Sequence, residues 1–365
     1  MGEAFKEVFC AATVEQIAEQ LAGAGFDRGL FVARANDGLE THELKGRVRQ
    51  IADALAAALP PFAEAVPIVR SRLPPAMDGT DGMSGGFRWW PLCTWVEVHG
   101  LDHPGPALSL LEELTRRFSA EFAVRPYLRR HPELAWAAVD RWTRHPDPHV
   151  RRLASEGTRP RLPWGGRLSG LVDDPSRSLP VLEALVDDPD EVVRRSVANH
   201  LGDIAKDHPS RAVAVAAGWI AADASRRPTA RHALRYLVKH GHPEALALFG
   251  FGPPALADVA LTVHTPAVAL GQRLQLTLAA RSIAASPQPL RIELGIAFRG
   301  ANDELRSPMR FTWTTRTLDP GASLTLKRGQ ALRAVTTRTH HPGEQGLVVF
   351  VNGEAVARGT FSLSV

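Results

Sequence analysis

An internal repeat in the middle of this 365-residue chain marks one carboxylate as a candidate for chemistry. Residues 145–152 recur 43 residues later as residues 188–195, with Pro, Asp, Val, Arg and Arg at matching positions. Four residues after the second Arg, the first copy has Glu156 where the second has Asn199. Because the fold does not need a carboxylate at this position, we interpret Glu156 as a residue for chemistry rather than for packing.

Three further charged residues are candidates, and each also has a plain structural interpretation. Glu121 follows Ser119, a residue type that caps helices, and a Glu in a first turn complements the helix dipole. Arg152 lies four residues before Glu156, a spacing that also suits a surface ion pair. Asp203 stands at the predicted end of the matching helix in the second copy, where it could be a turn residue. The residue types leave both interpretations open.

Trp164 lies in the segment 159–167, where Pro and Gly on both sides argue against a helical core position. The ring is flanked by three Arg, and a loop Trp in such surroundings can present its π face to a base or a cation. The alternative is a Trp that caps the stack of repeats.

The sequence gives no indication of a metal or a cofactor. The pairs His99/His103 and His145/His149 have ligand-like spacing, but neither has a third ligand nearby. The chain contains no P-loop, GxGxxG, HExxH or GxSxG motif, which argues against ATP, NAD and serine-hydrolase chemistry. We therefore predict no metal, no nucleotide and no other cofactor.

Charge is distributed unevenly along the chain. Residues 257–365 carry 12 Lys and Arg against 7 Asp and Glu, and residues 125–167 carry ten Arg against four acidic residues. A basic stripe on a near-neutral body is typical of a site for a polyanion. Only five basic residues in the chain are Lys, so a GC-rich genome is an alternative explanation for the abundance of Arg.

The hydrophobic pattern predicts two domains of different class. A repeat of about 40 residues with helical patterning is typical of stacked helical pairs. Up to residue 251 apolar residues recur with the helical period, and afterwards they alternate with the period of strands, with Asn352-Gly353 as a hairpin signal. We predict a HEAT-like α-solenoid at 1–254 and an immunoglobulin-like β-sandwich of about seven strands at 255–365.

Within the helical region, Pro, Gly and the apolar period place the individual elements. The segment 78–86, with four Gly in nine residues, is predicted to be a loop. The later helices are expected near 106–118, 120–130, 132–143, 147–157, 177–187, 190–201, 209–222 and 229–240.

The composition is that of a globular protein. Hydrophobic residues make up 44% of the chain and charged residues 22%. The charged N-terminus has no apolar segment of a signal peptide after it, and no apolar run approaches the roughly 20 residues of a membrane helix. Two Cys without a disulfide framework suit a reducing compartment. We expect a cytoplasmic monomer that does not associate with membranes.

Four segments carry a resemblance to a known family: Phe5-Lys6-Glu7, residues 39–52, TRRFSAEFAVRP at 115–126 and VRRLASEGTRPRLPW at 150–164. The chain resembles the helical-repeat DNA alkylation-repair glycosylases of the AlkC/AlkD superfamily, specifically the AlkC branch. The resemblance covers roughly residues 1–250, and the last segment is the most specific. The C-terminal strands are similar to the immunoglobulin-like extension of some AlkC-type proteins.

This resemblance implies an activity, a partner and a set of site residues. The activity is removal of cationic N-methylated bases, chiefly N3-methyladenine and N3-methylcytosine, from double-stranded DNA in base excision repair, with the lesion left in the stack rather than flipped. The implied catalytic residues are Glu121, Glu156 and Asp203, and the implied substrate-binding residues are Phe122, Arg152 and Trp164. Phosphate contacts are predicted for Arg125, Arg159, Arg161 and Arg167 in the Arg stripe and for Arg195 in the second copy of the repeat.

The residue types suit that chemistry. A cationic base leaves without a general acid, so the remaining demand is charge on the deoxyribose and an attacking water. A carboxylate about 4 Å from that charge is worth about 4 kcal/mol at an effective dielectric of 20, or roughly 10³ in rate. Glu156 would stabilise the sugar cation and position water, with Glu121 and Asp203 in support. Arg152 would orient a carboxylate or bind the phosphate beside the lesion.

A non-catalytic scaffold is the competing class, either a sensor of DNA structure or a protein-binding repeat. Helical repeats are more often scaffolds than enzymes, which favours this alternative at the level of the fold. Three carboxylates within an Arg-rich stripe count against it, because they would repel phosphate unless they served a purpose. We further hypothesise that the basic sandwich contacts the DNA.

Overall fold

The computed structural model describes residues 5–77, 79, 86–336 and 338–365. Within these residues the first 250 or so form helices and the rest form strands, as the hydrophobic pattern predicts. The helices α1–α16 are Ala11–Gln20, Arg28–Asn36, Leu44–Ala58, Phe62–Ser71, Trp90–His99, Pro104–Leu114, Arg125–Arg130, Pro132–Trp142, Pro148–Glu156, Ser169–Asp173, Leu179–Leu185, Glu191–Asp207, Pro209–Ala222, Arg227–Ala233, Arg235–His240 and Pro243–Leu248. Short 3₁₀ turns occupy Leu39–Thr41, Phe87–Trp89, Pro175–Ser178 and Ala224–Arg226.

The repeat seen in the sequence determines where α9 and α12 begin. Asp147 caps α9, since its carboxylate accepts a hydrogen bond from His149 N at 2.9 Å, and Pro148 fills the first helical position. The apolar face of α9, which includes Val150 and Leu153, is buried. The two helices pack against each other, and this contact brings the C-terminal end of α9 next to the middle of α12.

The predicted helix over 120–130 is shorter than expected. It begins at Arg125 instead of residue 120, and residues 121–124 form turns. Ser119 is not a helix cap, because its hydroxyl bonds the side chains of Glu121 and Arg152. A tertiary ion pair thus takes the groups that a local cap would have used.

The C-terminal strands form two sheets. Strands β1–β8 are Leu256–Val263, Ala267–Ala269, Arg273–Ser282, Gln288–Ala297, Met309–Leu318, Ser323–Ala331, Gly343–Val351 and Glu354–Ser364. Their order is β1-β3-β6 in one sheet and β2-β8-β7-β4-β5 in the other. All neighbours are antiparallel except β2 and β8. Alternate residues such as Leu274, Leu276 and Leu294 form the core.

The hairpin predicted at Asn352-Gly353 is confirmed. These two residues join β7 to β8, with Val351 paired to Glu354. Their φ angles are 49° and 87°, the left-handed values that a two-residue type I′ turn requires.

The chain packs as two compact units, one made of residues up to 207 with 223–233 and the other of residues 208–222 with 234–365. The helices α13, α15 and α16 therefore group with the strands. The predicted boundary at 254/255 marks the change of secondary structure and stays a prediction as a domain boundary.

No single helix within the described ranges is long and apolar enough to cross a membrane, although the bent pair Leu44–Ala58 and Phe62–Ser71, with 104° between its members, meets the length and composition criteria together. The loop predicted at 78–86 lies, apart from Gly79 and Gly86, outside the described residues.

Candidate active site

Carboxylates and arginines alternate in a chain of ion pairs within the helical unit. Glu121 Oε2 lies 3.0 Å from Nη1 of Arg152. Arg159 bridges two acids, with its Nη1 2.6 Å from Glu156 Oε1 and its Nε 2.8 Å from Asp203 Oδ2. The fold thus brings together all four charged residues that the sequence offers as catalytic or orienting groups, and Arg159 links two of them.

Glu156 is the most constrained acid of this chain of ion pairs. It ends α9, is 6% exposed, and accepts a hydrogen bond from Ser196 Oγ at 2.5 Å on the oxygen that Arg159 does not use. Burial alone would raise the pKa of Glu156, but the attraction of Arg152 and Arg159 and the hydrogen bonds from Ser196 and Arg159 together exceed this effect and hold the pKa below its ordinary value. The side chain is therefore an ionised carboxylate in one orientation at neutral pH.

Arg152 connects Glu121 to the rest of the chain of ion pairs. Its Nη2 is 3.8 Å from Glu156 Oε1, longer than the 3.0 Å contact to Glu121. Ser119 Oγ donates to Glu121 at 2.7 Å and accepts from Arg152 at 2.9 Å. The interpretation of Arg152 and Glu156 as a surface ion pair is wrong, because Glu156 is buried.

Asp203 is an interior residue of α12, which continues to Asp207. It is 2% exposed, and its second oxygen lies 3.0 Å from the ammonium group of Lys206. The interpretation of Asp203 as a turn residue is therefore wrong. Its two oxygens are held by two different cations, so its position is as well defined as that of Glu156.

Trp164 stands on a loop whose backbone is held from several sides. Lys45 Nζ donates to the carbonyl of Trp164 at 2.5 Å, and Arg125 Nη2 donates to the carbonyl of Gly166 at 2.5 Å. The backbone of Trp164 has a φ of 64°, a value that residues other than Gly rarely adopt. The ring is 58% exposed and makes an edge contact with Phe5. A ring exposed to this extent does not cap a helical stack, and the loop presents it to solvent.

A cavity of about 220 Å³ lies beside this loop. Trp164 and Phe122 line it, together with Trp90, whose ring is stacked on Phe122 with 5.5 Å between centroids. Glu97 contributes a carboxyl whose pKa is raised by burial, although Lys45 and nearby Arg side chains oppose the shift. The carboxylates of the ion-pair chain do not line the cavity, but Phe122, which follows Glu121 in the sequence, connects the two.

Comparison with known proteins places this architecture in a family. The chain is 34% identical over 354 residues, 96% of each protein, to the uncharacterized protein YhaZ of Bacillus subtilis (strain 168). It is 32% identical to the Pseudomonas fluorescens alkylpurine DNA glycosylase AlkC, solved bound to DNA containing an abasic site analog. That match covers 99% of both chains with a TM-score of 0.84. The chain belongs to the AlkC family of alkylpurine DNA glycosylases.

Two family models agree with this assignment. A model described as a DNA alkylation repair enzyme matches residues 118–237, and the C-terminal Ig-like domain of YhaZ matches residues 257–365. The predicted fold class, a helical region followed by an immunoglobulin-like β domain, is confirmed. So is the resemblance to AlkC-type glycosylases.

The arginines predicted to contact phosphate fall into two groups in this AlkC-family fold. Arg125 and Arg159 are 2% and 7% exposed. Arg125 donates to the carbonyls of Gly157, Arg159 and Gly166, and burial lowers its pKa to about 10, so it stays charged at neutral pH. These two buried guanidinium groups are occupied inside the protein and do not fit the predicted phosphate contacts.

The other three are accessible to different degrees. Arg161 is partly buried against Asp207 at 2.5 Å, and Arg195 is exposed beside Glu191. Arg167 is exposed and forms no ion pair with any residue that the structure describes. Arg167 therefore keeps the strongest case for a phosphate contact.

The histidine pairs with ligand-like spacing have other partners. His99 Nε2 lies 2.8 Å from Asp53, and His145 lies 3.7 Å from Glu112. His103 stacks on Phe62, and His149 bonds the carbonyl of Gly79. In the described part of the chain no three His, Cys, Asp or Glu residues are grouped so that they could hold a metal ion.

Several residues that lie at this candidate site are not indicated, or are indicated for another role, by the sequence. The Arg stripe predicts a phosphate ligand at Arg159, although its spacing of three residues from Glu156 suits an ion pair. Lys206 has the same spacing from Asp203. Glu97 and Trp90 carry no sequence signal, since only the fold brings them to the Trp164 loop.

Proposed function

We propose that this protein hydrolyses the N-glycosidic bond of cationic N-alkylated bases in duplex DNA, chiefly N3-methyladenine and N3-methylcytosine, and leaves the lesion unflipped. The observation that carries the proposal is the buried, oriented Glu156 within the ion-pair chain, which Arg159 links to the start of the segment 159–167 that contains Trp164. The abasic site analog bound by the Pseudomonas fluorescens AlkC corresponds to the product that such a reaction leaves in DNA.

The reaction needs little proton transfer to the leaving group. As the bond between C1′ and the base nitrogen breaks, its electron pair moves to the base, which departs neutral because it was cationic. Positive charge then develops on the deoxyribose, water adds to C1′, and the water loses a proton. A neutral base is a poor leaving group under the same conditions, so selectivity arises from the chemistry of the lesion.

Glu156 is the group best suited to stabilise the sugar cation and to position the water. Arg159 and Ser196 each hold one of its oxygens, so the carboxylate does not have to reorganise when charge develops. Glu121 and Asp203 support it through Arg152 and Arg159. We assign Arg152 to the orientation of carboxylates.

Trp164 and Phe122 would contact the lesion or the exposed sugar. Cation–π attraction of an aromatic face for a positively charged base is worth about 0.5–2 kcal/mol, depending on desolvation. The strained backbone of Trp164, held by Lys45, supports this role, because a loop that is already ordered loses little entropy when it binds.

The test is release of free base from methylated duplex DNA by the native protein. We expect time-dependent release of N3-methyladenine and N3-methylcytosine, with abasic sites formed in equal number, and no release of unmodified bases. Salt-sensitive DNA binding without release would identify a sensor of DNA structure, and indifference to DNA would identify a protein scaffold.

We also propose that the sandwich binds backbone phosphates. Its strands pack in one unit with α13, α15 and α16, so substitutions test this better than a deletion of 257–365. Five exposed cations of the sandwich form neither an ion pair nor a side-chain hydrogen bond within the described residues: Arg306, Arg316, Lys327, Arg333 and Arg358. Changing them together to Gln should weaken DNA binding and flatten its salt dependence, by about 0.9 in the logarithmic slope for each phosphate that is no longer neutralised.

The measurement is the Kd for duplex DNA over a salt series. The matched control is Arg281→Gln, which removes a cation already paired with Asp258 at 2.9 Å. An unchanged affinity and an unchanged salt slope in the five-residue variant would exclude the sandwich from DNA binding.

A further inference from the structure

A buried hydroxyl occupies a position that packing would fill with an apolar side chain. Ser196 aligns with Leu153 at the same 43-residue offset that relates Glu156 to Asn199. Both residues are buried, Leu153 at 0% and Ser196 at 2% exposure. A buried hydroxyl is stabilising only when it is hydrogen-bonded, so the exchange of Leu for Ser calls for a specific partner. That partner is Glu156 of the first copy. The second copy, which contains Ser196, has Asn199 at the position that matches Glu156.

The direction of the hydrogen bonds follows from the chemistry of the acceptor. Ser196 Oγ is 2.5 Å from Glu156 Oε2 and 3.0 Å from Ser155 Oγ. An ionised carboxylate can only accept, so the single proton of Ser196 goes to Glu156. Ser155 must then donate to Ser196, and the two hydroxyls form a polarised chain that ends on the carboxylate.

His200 holds the backbone of Ser155, the residue whose hydroxyl begins this chain. It lies one helical turn after Ser196 on α12, is fully buried, and its Nδ1 is 2.9 Å from the carbonyl of Ser155. Burial lowers the pKa of His200 to about 4, so the ring is neutral and donates from Nδ1 to that carbonyl. A neutral ring holds the backbone beside Glu156 without adding a charge.

We infer that Ser196 is a positioning residue which keeps Glu156 ionised and fixes the plane of its carboxylate. The inference rests on the proposed role of Glu156 in base release. Arg159 alone would hold one oxygen and leave the carboxylate free to rotate. The hydroxyl of Ser196 holds the other oxygen, so the two hydrogen bonds together set the orientation.

The charged and titratable groups that face Glu156 come from several elements of the fold. Arg152 comes from the same helix, and Arg159 from the turn that follows it. On α12 the facing groups are His200 and Asp203, and Glu121 faces through Arg152. Removing the hydroxyl leaves all of these charges in place, so any change in titration reports the missing hydrogen bond.

The experiment compares the pH dependence of base release in native protein, Ser196→Ala and Ser196→Thr. Ser196→Ala should lower kcat about 10-fold with KM within twofold, because a hydrogen bond to a charged group is removed. Removal of a donor to the ionised form raises the pKa of Glu156, so the acid limb of the profile should move upward by about one pH unit. Ser196→Thr keeps a hydroxyl and should stay close to native.

The matched control is Ser178→Ala, which removes another fully buried hydroxyl, one that donates to the carbonyl of Pro175 at 2.9 Å. An acid limb of Ser196→Ala that coincides with those of the native protein and Ser178→Ala would overturn the inference, whatever the decrease in rate. If Ser196→Ala does not fold, Ser155→Ala should shift the limb in the same direction by a smaller amount. If the acid limb of Ser155→Ala does not shift, the inference is overturned as well.

A direct titration separates this inference from the proposed function. NMR of ¹³C-labelled Glu carboxyls reports the pKa of Glu156 without catalysis, with Glu156→Gln to assign the signal. A higher pKa in Ser196→Ala supports the positioning role even if the native protein releases no base, and an equal pKa contradicts it.

Discussion

Glu156→Gln is expected to lower the rate of base release by about 10³ while DNA binding persists. The amide has nearly the same shape but no charge, so it cannot supply the stabilisation of the sugar cation by a carboxylate about 4 Å away, worth about 4 kcal/mol at an effective dielectric of 20. The effect should appear in kcat, because the charge that Glu156 stabilises develops only in the transition state. The measurement is single-turnover release of N3-methyladenine from duplex DNA, alongside the Kd for the same duplex.

Glu191→Gln is the matched control, since Glu191 begins α12 on the surface and, among the residues that the structure describes, pairs only with exposed Arg195. It should release base at the native rate. If Glu156→Gln releases base at a rate within threefold of the native rate, Glu156 is not a catalytic residue, and Glu121 and Asp203 become the candidates.

Arg159→Met is expected to lower the free energy of unfolding of the helical unit by about 3–5 kcal/mol. Arg159 is 7% exposed and joins two acids that are themselves buried, Glu156 and Asp203. Removing one partner of a buried ion pair leaves an uncompensated charge in a poorly solvated place, which is the costly case. Urea unfolding followed by far-UV circular dichroism measures the change.

The size of this effect has an internal control and a pH dependence. Arg161→Gln removes a partly exposed partner of Asp207 and should lower the free energy of unfolding by less than about 1 kcal/mol.

In the native protein the lowered pKa of Glu156 contributes stability above the ordinary Glu pKa, and that contribution is lost as the pH falls through the folded pKa. Without Arg159 the pKa rises, so the gap between Arg159→Met and native should narrow from pH 7 towards pH 4. If Arg159→Met and Arg161→Gln lower the free energy of unfolding equally, the Arg159 bridge stabilises the fold no more than the partly exposed pair of Arg161 and Asp207.

The parts of the fold predicted correctly are those with local causes. The hydrophobic period changes near residue 256, and this agrees with the structure, in which the last helix ends at Leu248 and the first strand begins at Leu256. The Asn352-Gly353 turn is specified by two residues that tolerate left-handed backbone. Side-chain periodicity and turn chemistry act within a few residues, so both can be read from the sequence alone.

The parts predicted incorrectly depend on distant partners. The segment after Ser119 has the local pattern of a capped helix, but Arg152 from another helix takes both the hydroxyl and the Glu121 carboxylate. Arg125 and Arg159 count as surface charge in the sequence, yet they are buried and hold carbonyls and acids. A count of charges carries no information about burial, and burial decides whether an Arg is a phosphate ligand or a structural brace.

The two classes of secondary structure, the repeat, and the difference between Glu156 and Asn199 can all be read from the amino-acid sequence. It also carried the resemblance that places the chain among AlkC-type glycosylases, which the similarity to known proteins confirms. The folded chain was needed to show that Arg159 joins Glu156 to Asp203 and that Ser196 holds the second oxygen of Glu156. Arg159 and Asp203 are 44 positions apart, and Ser196 and Glu156 are 40 positions apart. The strength of these contacts depends on exclusion from water, which arises only when the helices pack.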